Sequence, residues 1–427
     1  MGAFESFYEI VCFDTGSGGL IALRSKKPVF LDSTLSQMLY LDTARLGLVS
    51  PSAKRALIAA MEFNQVFGAG AYFDELLMSG SGGVAGANEF DGLEIWPGIE
   101  AFSTDIKETF FGSNQGDLVF ASKTSSLMSL AAEMLFSRCS RVLVTDLNWQ
   151  PYDAVLQTVA NKKNGQISKV EIKQKIFDQS LSVDAVIEKI ASTFIDERCD
   201  GIFLPAVCDW GIALPVTKIL ECIRSSREIR FALLDTAQAI NHVDLHWGRE
   251  EVDFSFGGTH KWLRSYEPMA IGHFAKPSSR TFIRDVIDRH LADNPLADPL
   301  LRITQANAPQ KSETVNLCPL FAAAGALEDA KTTQLEKNSD HSRSAMVDAV
   351  NATSWEMVSP NTDFDSQILM FKNSKIENAD PRQIRNTLNR LGVAASAYAG
   401  GVCRVSVPQS ITQLQADQME IAFREAG

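Results

Sequence analysis

Leu233-Leu234-Asp235-Thr236-Ala237-Gln238, followed by Gly257-Gly258-Thr259-His260-Lys261-Trp262-Leu263, decides the fold. The first apolar run, Phe231 to Leu234, closes on an acid. The next, Val252 to Phe256, closes just before a lysine. The first run has no polar residue and reads as a strand buried on both faces, whereas the second is a short apolar run that admits Asp253 and Ser255. Working outward, Asp117–Ala121 is strand-like and Ser126–Phe136 helical. Arg141–Thr145 precedes a helix over Pro151–Asn161, and Gly201–Val207 precedes one over Val216–Ser225. Apolar runs alternating with helices predict an α/β unit, a mostly parallel sheet sandwiched by helices. Ligands of such sheets sit beyond the carboxyl ends of the strands.

The rest of the chain divides around that unit. Residues 1–30 read as an irregular arm, and Pro51 opens a helix with proline in its first turn. Residues 79–93 are glycine-rich and predict a mobile loop. Near Thr314 the character changes: Leu317–Leu335 reads as a long helix, and short strands (Gln367–Phe371, Val402–Ser406) alternate with helices. The expected organisation is an N-terminal arm over 1–60 packing on the small domain, a large α/β domain over 61–313, and a smaller C-terminal α+β domain over 314–427.

The chain has 427 residues, 45% hydrophobic and 22% charged, which suits a globular protein with a large core. A net charge of −12 argues against nucleic acid as the main partner. The seven cysteines (12, 139, 199, 208, 222, 318, 403) are scattered and form no C-x-x-C pair, so neither a zinc site nor a disulfide framework is expected. The N-terminal stretch lacks the basic region and apolar core of a secretory signal. No stretch approaches a membrane span. A cytoplasmic protein without membrane or metal is the expectation.

Several polar residues stand where chemistry is done. Asp235 closes a strand, and Gln238 follows it by three residues. Lys261 and His260 follow the next strand. Ser122-Lys123-Thr124-Ser125-Ser126 joins a strand to a helix, where backbone N–H groups and hydroxyls suit a phosphate, or Thr124 and Ser125 simply cap the helix. Trp149 follows the strand ending at Thr145 and is either a ring-stacking face or core. Arg404 interrupts an apolar strand and must pair with a protein acid or a bound carboxylate. A lysine amine forms a Schiff base with an aldehyde, and a buried carboxylate holds a pyridine nitrogen protonated. Those are the two groups a protein must supply to pyridoxal 5′-phosphate.

Together these motifs resemble class V of the fold-type I pyridoxal-phosphate enzymes, the family of cysteine desulfurases, isopenicillin N epimerase-like proteins, kynureninases and small aminotransferases. Tyr40-Leu41-Asp42-Thr43-Ala44 resembles the family's early Y-L-D-N-A-A. Residues 122–126 resemble its phosphate loop. Asp235-Thr236-Ala237-Gln238 with His242 resembles D-x-A-Q-x-x-G-H. Thr259-His260-Lys261-Trp262-Leu263 resembles S-x-H-K-W-L, and Arg404-Val405-Ser406 the late R-I-S. The resemblance implies that Lys261 carries the cofactor aldehyde and moves protons at Cα, and that Asp235 pairs with the ring nitrogen. It further implies Gln238 on the ring O3′, Thr124, Lys123 and His260 about the phosphate, Trp149 stacked on the ring, and Arg404 on the substrate carboxylate. Thr314 is implied to reach the phosphate of a neighbouring subunit in a homodimer.

This chain departs from the family at four places. Gly258 stands where a serine often precedes the lysine box. The phosphate loop lacks the usual glycine and acid. Arg45 replaces the second alanine of the early motif, near the substrate. Tyr266-Glu267-Pro268 replaces a glycine-rich stretch. The segment Gly392–Val402 has no cysteine, which disfavours a desulfurase, and Cys403 reads as core. The expected activity is a lyase or epimerase acting at the α-carbon of an amino acid, with an aminotransferase next and a non-catalytic scaffold as the rival class. Trp210, Tyr266 and Tyr398 are further candidate pocket-liners.

Overall fold

The computed structural model describes residues 38–427 apart from 72–74, 113, 246–250, 295–296, 306–314, 333–338 and 359–361. The expected arm over residues 1–30 and the candidate Thr314 lie outside the described residues.

The described chain begins with β1 (Leu39–Tyr40), α1 (Pro51–Ala71), a one-turn α2 (Leu77–Ser79) and α3 (Ile99–Phe111). Then come β2 (Asp117–Ala121), α4 (Thr124–Arg138), β3 (Arg141–Thr145), α5 (Gln150–Lys163), β4 (Gln166–Val170), α6 (Lys173–Phe177) and α7 (Val183–Asp196). β5 (Gly201–Pro205), α8 (Val216–Arg224), β6 (Phe231–Asp235), β7 (Phe254–Gly258) and β8 (Ala270–Phe274) follow. These strands form a seven-stranded sheet ordered β2-β8-β7-β6-β5-β3-β4. It is parallel except for β8, which runs antiparallel to both β7 and β2.

The apolar runs are continuous because alternate residues feed opposite cores. Phe231 and Leu233 of β6 join the core under α4, α5 and α9 (Pro277–Asp293), whereas Ala232 and Leu234 join the core under α7 and α8. A strand covered on both faces has no polar side to show. β4 is the sheet edge, and its Gln166 and Lys169 are exposed, so its sequence carries no comparable run. Parallel pairing brings the ends of β3, β5, β6 and β7 to one edge, and β2, antiparallel to β8, ends there too.

The remaining elements are α10 (Pro299–Ile303), α11 (Cys318–Thr332), α12 (Ser339–Asn351), β9 (Glu356–Met357), β10 (Ile368–Lys372), α13 (Pro381–Arg390), β11 (Val393–Ala394), β12 (Ser396–Tyr398), β13 (Val402–Ser406) and α14 (Gln413–Ala426). They build an antiparallel sheet ordered β12-β13-β10-β9, packed against α12, α13 and α14. β1 pairs in parallel with β11, and Leu39 and Leu41 sit in that same C-terminal core.

The glycine-rich stretch 79–93 departs from its expected loop character. It is a series of single 3-10 turns over Ser81–Gly83, Ala87–Glu89 and Leu93–Ile95, with Val84, Ala87, Leu93 and Trp96 buried against α1 and α11. Gly80, Gly86, Gly92 and Gly98 take positive φ between these anchors, which is what the glycines are for. Among the described residues no helix is long and apolar enough to cross a membrane.

Candidate active site

A cavity of about 600 Å³ opens at the carboxyl edge of the large sheet. Asp235 and Lys261 both line it. Asp235 ends β6 and is 6% exposed. Burial pushes its carboxyl up to about 6, against the pull of the Ala237 N–H, which donates to Oδ1 at 2.8 Å, and of the nearby Lys261 amine. Burial likewise pushes the Lys261 amine below its ordinary value, while Asp235 holds it up. Each group is thus displaced toward its neutral form by desolvation.

The segment carrying Lys261 is clamped from both sides. Thr259 N–H donates to Met269 at 2.9 Å, and Ser265 Oγ donates to Thr259 Oγ1 at 2.8 Å. From the early segment, Gly47 N–H donates to the His260 carbonyl at 2.8 Å, and Ser50 N–H to that of Arg264 at 3.0 Å. A Cβ on Gly47 would stand 2.1 Å from the Lys261 carbonyl oxygen, so only glycine permits this approach. Gln238 is fixed by the same segment. Its Nε2 donates to the Ala44 carbonyl at 2.8 Å and its Oε1 accepts from Trp262 Nε1 at 2.8 Å. One Nε2 hydrogen remains for a ligand in the cavity that Gln238 lines. Beneath it His242 stacks on Trp262 at 3.7 Å. Its Nε2 accepts from Gln367 N–H at 2.9 Å, so Nδ1 carries the proton and donates to the Gln238 carbonyl. Burial drives its ring down to about 4, so it stays neutral and acts as a strut.

Thr124, Ser125 and His260 form another side of the cavity. α4 begins after Lys123 with no side chain capping it, so neither hydroxyl is spent as a cap. Lys123 itself is exposed at that position and does not line the cavity. Ser122 N–H and Oγ are taken by the Asp298 carboxylate, each at 3.0 Å, so they are not free for a phosphate. His260 Nδ1 is buried without a hydrogen-bond partner, and burial pushes the ring down to about 4. A Cβ at Gly258 would stand 2.8 Å from His260 Cε1 and 3.0 Å from Thr124 Oγ1. The missing serine is therefore matched by the inward lean of those two side chains.

Trp149 lines the cavity and is 47% exposed, so it is not packed core. It meets the Tyr152 ring edge-on at 4.9 Å. The turn holding it is set by Asn148, whose Oδ1 accepts from Thr145 N–H and Oγ1, both at 2.8 Å.

The opposite wall comes from the small sheet. Arg404 on β13 is 5% exposed. Its Nη2 stands 3.6 Å from Asp42 Oδ1, its Nη1 donates to the Asp209 carbonyl at 3.2 Å, and its Nε has no partner. Ser396 Oγ donates to Asp42 at 2.8 Å. Burial raises the Asp42 carboxyl, against the pull of Ser396 and Arg404. Arg404 therefore has a protein acid, held loosely, and its fork is not saturated. Arg45 and Tyr398 line the cavity. Trp210 does not; it packs behind Tyr398 at 6.2 Å. Tyr266 is 49% exposed and off the wall. Cys403 is fully buried, its thiol pushed up by burial. Cys208 reaches the cavity but is 2% exposed, its thiol pushed up to about 12 by burial and Asp209.

Sequence reading missed Asp209, Tyr152, Ser396 and Arg385, which also line the cavity. Asp209 lay within reach, because it follows β5 as Asp235 ends β6. The other three carry no strand-end signal.

No family model matches the chain. No curated protein matches it either. Solved structures do. A NifS-like protein superposes with a TM-score of 0.64 at 16% identity, covering 91% of this chain and 99% of the other. A cystine C–S lyase, solved with its product cysteine persulfide, gives 0.65 at 12%, covering 92% and 98%. An alanine–glyoxylate aminotransferase from Nostoc sp. gives 0.64 at 12%, covering 94% and 97%. The likeness is one of fold. The expected fold-type I architecture is borne out over most of the chain.

Proposed function

We propose that the protein is a pyridoxal 5′-phosphate enzyme of the class V type, acting at the α-carbon of an amino acid. The observation that carries this is the pairing of Asp235 and Lys261 in one cavity, both desolvated, at the ends of adjacent strands. The donor set fits the cofactor: an unpartnered buried His260 nitrogen beside Thr124, an uncapped α4 start, a buried carboxylate, an open Trp149 face. Asp235 would hold the ring nitrogen, Gln238 the ring oxygen, and Thr124 with His260 the phosphate. When bound, the cofactor supplies an electron sink that acidifies the substrate Cα–H.

The chain's own groups do the rest. Arg404 binds the α-carboxylate with its two-pronged guanidinium and orients the Cα–H bond. Lys261, its amine held below the ordinary lysine range, takes and returns the Cα proton. Trp149 and Tyr152 exclude water from the ring face. The reading favoured is a lyase or epimerase. The desulfurase branch is disfavoured, because that chemistry needs a mobile thiolate and Cys208 is a buried, protonated thiol. The second reading is an aminotransferase, favoured by the likeness to the alanine–glyoxylate enzyme. A homodimer with the site at its interface belongs to the same proposal.

Purified protein tests it. A yellow, cofactor-loaded protein that loses colour in Lys261→Ala supports the enzyme. Colourless protein that takes up no cofactor supports the scaffold reading. Incubation with an amino-acid panel then separates the branches: accumulation of pyridoxamine phosphate marks the aminotransferase, and α-carbon exchange or elimination without it marks the lyase or epimerase.

A further inference from the structure

The cavity carries more positive charge than the proposed reaction uses. Arg404 is accounted for, with Asp42 as its counter-charge. Arg45 and Arg385 line the same cavity, and neither forms an ion pair within 4 Å of a described acid. Some other arginines of this chain are matched by an acid (Arg141 with Glu197, Arg230 with Asp200, Arg280 and Arg284 with Asp117, Arg343 with Asp365). Among the described residues Arg264 and Arg302 bond only carbonyls, so what sets Arg45 and Arg385 apart is their place on the cavity wall. In a chain of net charge −12, Arg385 without an ion pair to a described acid and Arg45 sharing the pull of Asp42 with Arg404 add local positive charge at one cavity.

Both are held in place by their backbones. Arg385 lies on α13, next to Ile384, which with Leu388 is buried in the small-domain core. The helix thereby sets Arg385, half-buried, on the wall beside Ser396 and Tyr398. Arg45 follows the Asp42 turn, where its N–H donates to the Asp42 carbonyl at 2.9 Å. Its neighbour Ala44 is pinned by Ser406 Oγ at 2.9 Å and by Gln238. The cavity's own carboxylates are Asp209 and Asp235, and Asp235 serves the ring side.

We propose that Arg385 and Arg45 form a second anion-recognition site, so that the substrate is an amino acid whose side chain ends in a carboxylate. This rests on the cofactor reading above. Arg404 takes the α-carboxylate and the new pair takes the distal one, each matching guanidinium to carboxylate.

The test uses cofactor-loaded protein and ligands that lack an amine, so that binding is read without turnover. Calorimetric titration compares succinate and glutarate with propionate and butyrate. The dicarboxylates are expected to bind at least about tenfold more tightly. Arg385→Gln or Arg45→Gln should bring that ratio to within about threefold, while Arg404→Gln weakens both ligand classes. Glutamine is a good helix former, so α13 keeps its shape in Arg385→Gln, and Arg45→Gln repeats the test on a separate segment. A wild-type ratio near one, or a preference that survives both single substitutions, overturns the inference and leaves the cofactor reading standing. Protein that never takes up the cofactor overturns the reading beneath it, and this inference with it.

Discussion

The wall bearing Asp235, Gln238, His260 and Lys261 comes from two adjacent strands of one sheet, whereas the wall bearing Arg404, Ser396 and Arg385 comes from the small sheet and α13 and meets Asp42 across 354 residues of sequence. On the first wall burial displaces each titrating group, and His260 Nδ1 has no partner. On the second, Arg404 and Asp42 offset one another. The difference separates two tasks. The first wall holds groups that a ligand must complete. The second pairs Arg404 with Asp42 but leaves Arg385 without an ion pair to a described acid, and it selects what enters.

Breaking the first wall should have the largest effect. Lys261→Ala is expected to lower turnover at least about 10³-fold, because it removes both the attachment point and the base. Steady-state rates and the visible spectrum check this. Breaking the second should cost less. Arg404→Gln is expected to lower kcat/KM about 10²-fold, mainly through KM, by removing a charge-assisted bond to the substrate carboxylate. It also leaves Asp42 buried without its cation, with an expected loss of about 1–3 kcal/mol of stability. Urea melts should show part of that loss recovered in the Asp42→Asn, Arg404→Gln double variant.

The first wall also carries a pH response. Asp235 has a folded pKa raised to about 6. Its contribution to the stability of the cofactor-free protein is therefore fully present below its unfolded value, about 4, and is lost as pH rises through about 6. Asp235→Asn removes that dependence. The variant should gain on wild type as pH rises from 4 to 7, by about 2–3 kcal/mol, and hold that lead above. Denaturant melts across this range that stay parallel for the two proteins contradict the assignment. The smallest effect is expected at Gly258→Ser. The new Cβ presses on His260 and Thr124, and cofactor affinity should fall by about 1 kcal/mol, measured by equilibrium dialysis.

Legibility in the sequence follows the same division. The strand end that places Asp235 was readable because a doubly covered strand is a continuous apolar run that stops abruptly, whereas Lys261, after a run broken by Asp253 and Ser255, was readable through its T-H-K-W-L motif. Strand bounds such as Asp117–Ala121 and Val402–Ser406 are those of the fold. β8 and the edge strand β4 were not readable, the first for its glycine and histidine, the second for its exposed polar residues. Arg404 was legible as a charge needing a partner, but Asp42 as that partner was not, since the pairing depends on β1 joining β11 and bringing the early segment to the small sheet. Arg385 carried no local signal at all. Its helix face is decided by packing on β11 and β12, which only the assembled fold supplies.

The most direct measurement is borohydride reduction of the cofactor-loaded protein, followed by peptide mass mapping. A phosphopyridoxyl mass on the peptide containing Lys261, absent in Lys261→Ala, is the expected result. No adduct, or an adduct on another lysine with Lys261 unmodified, contradicts the assignment of this cavity.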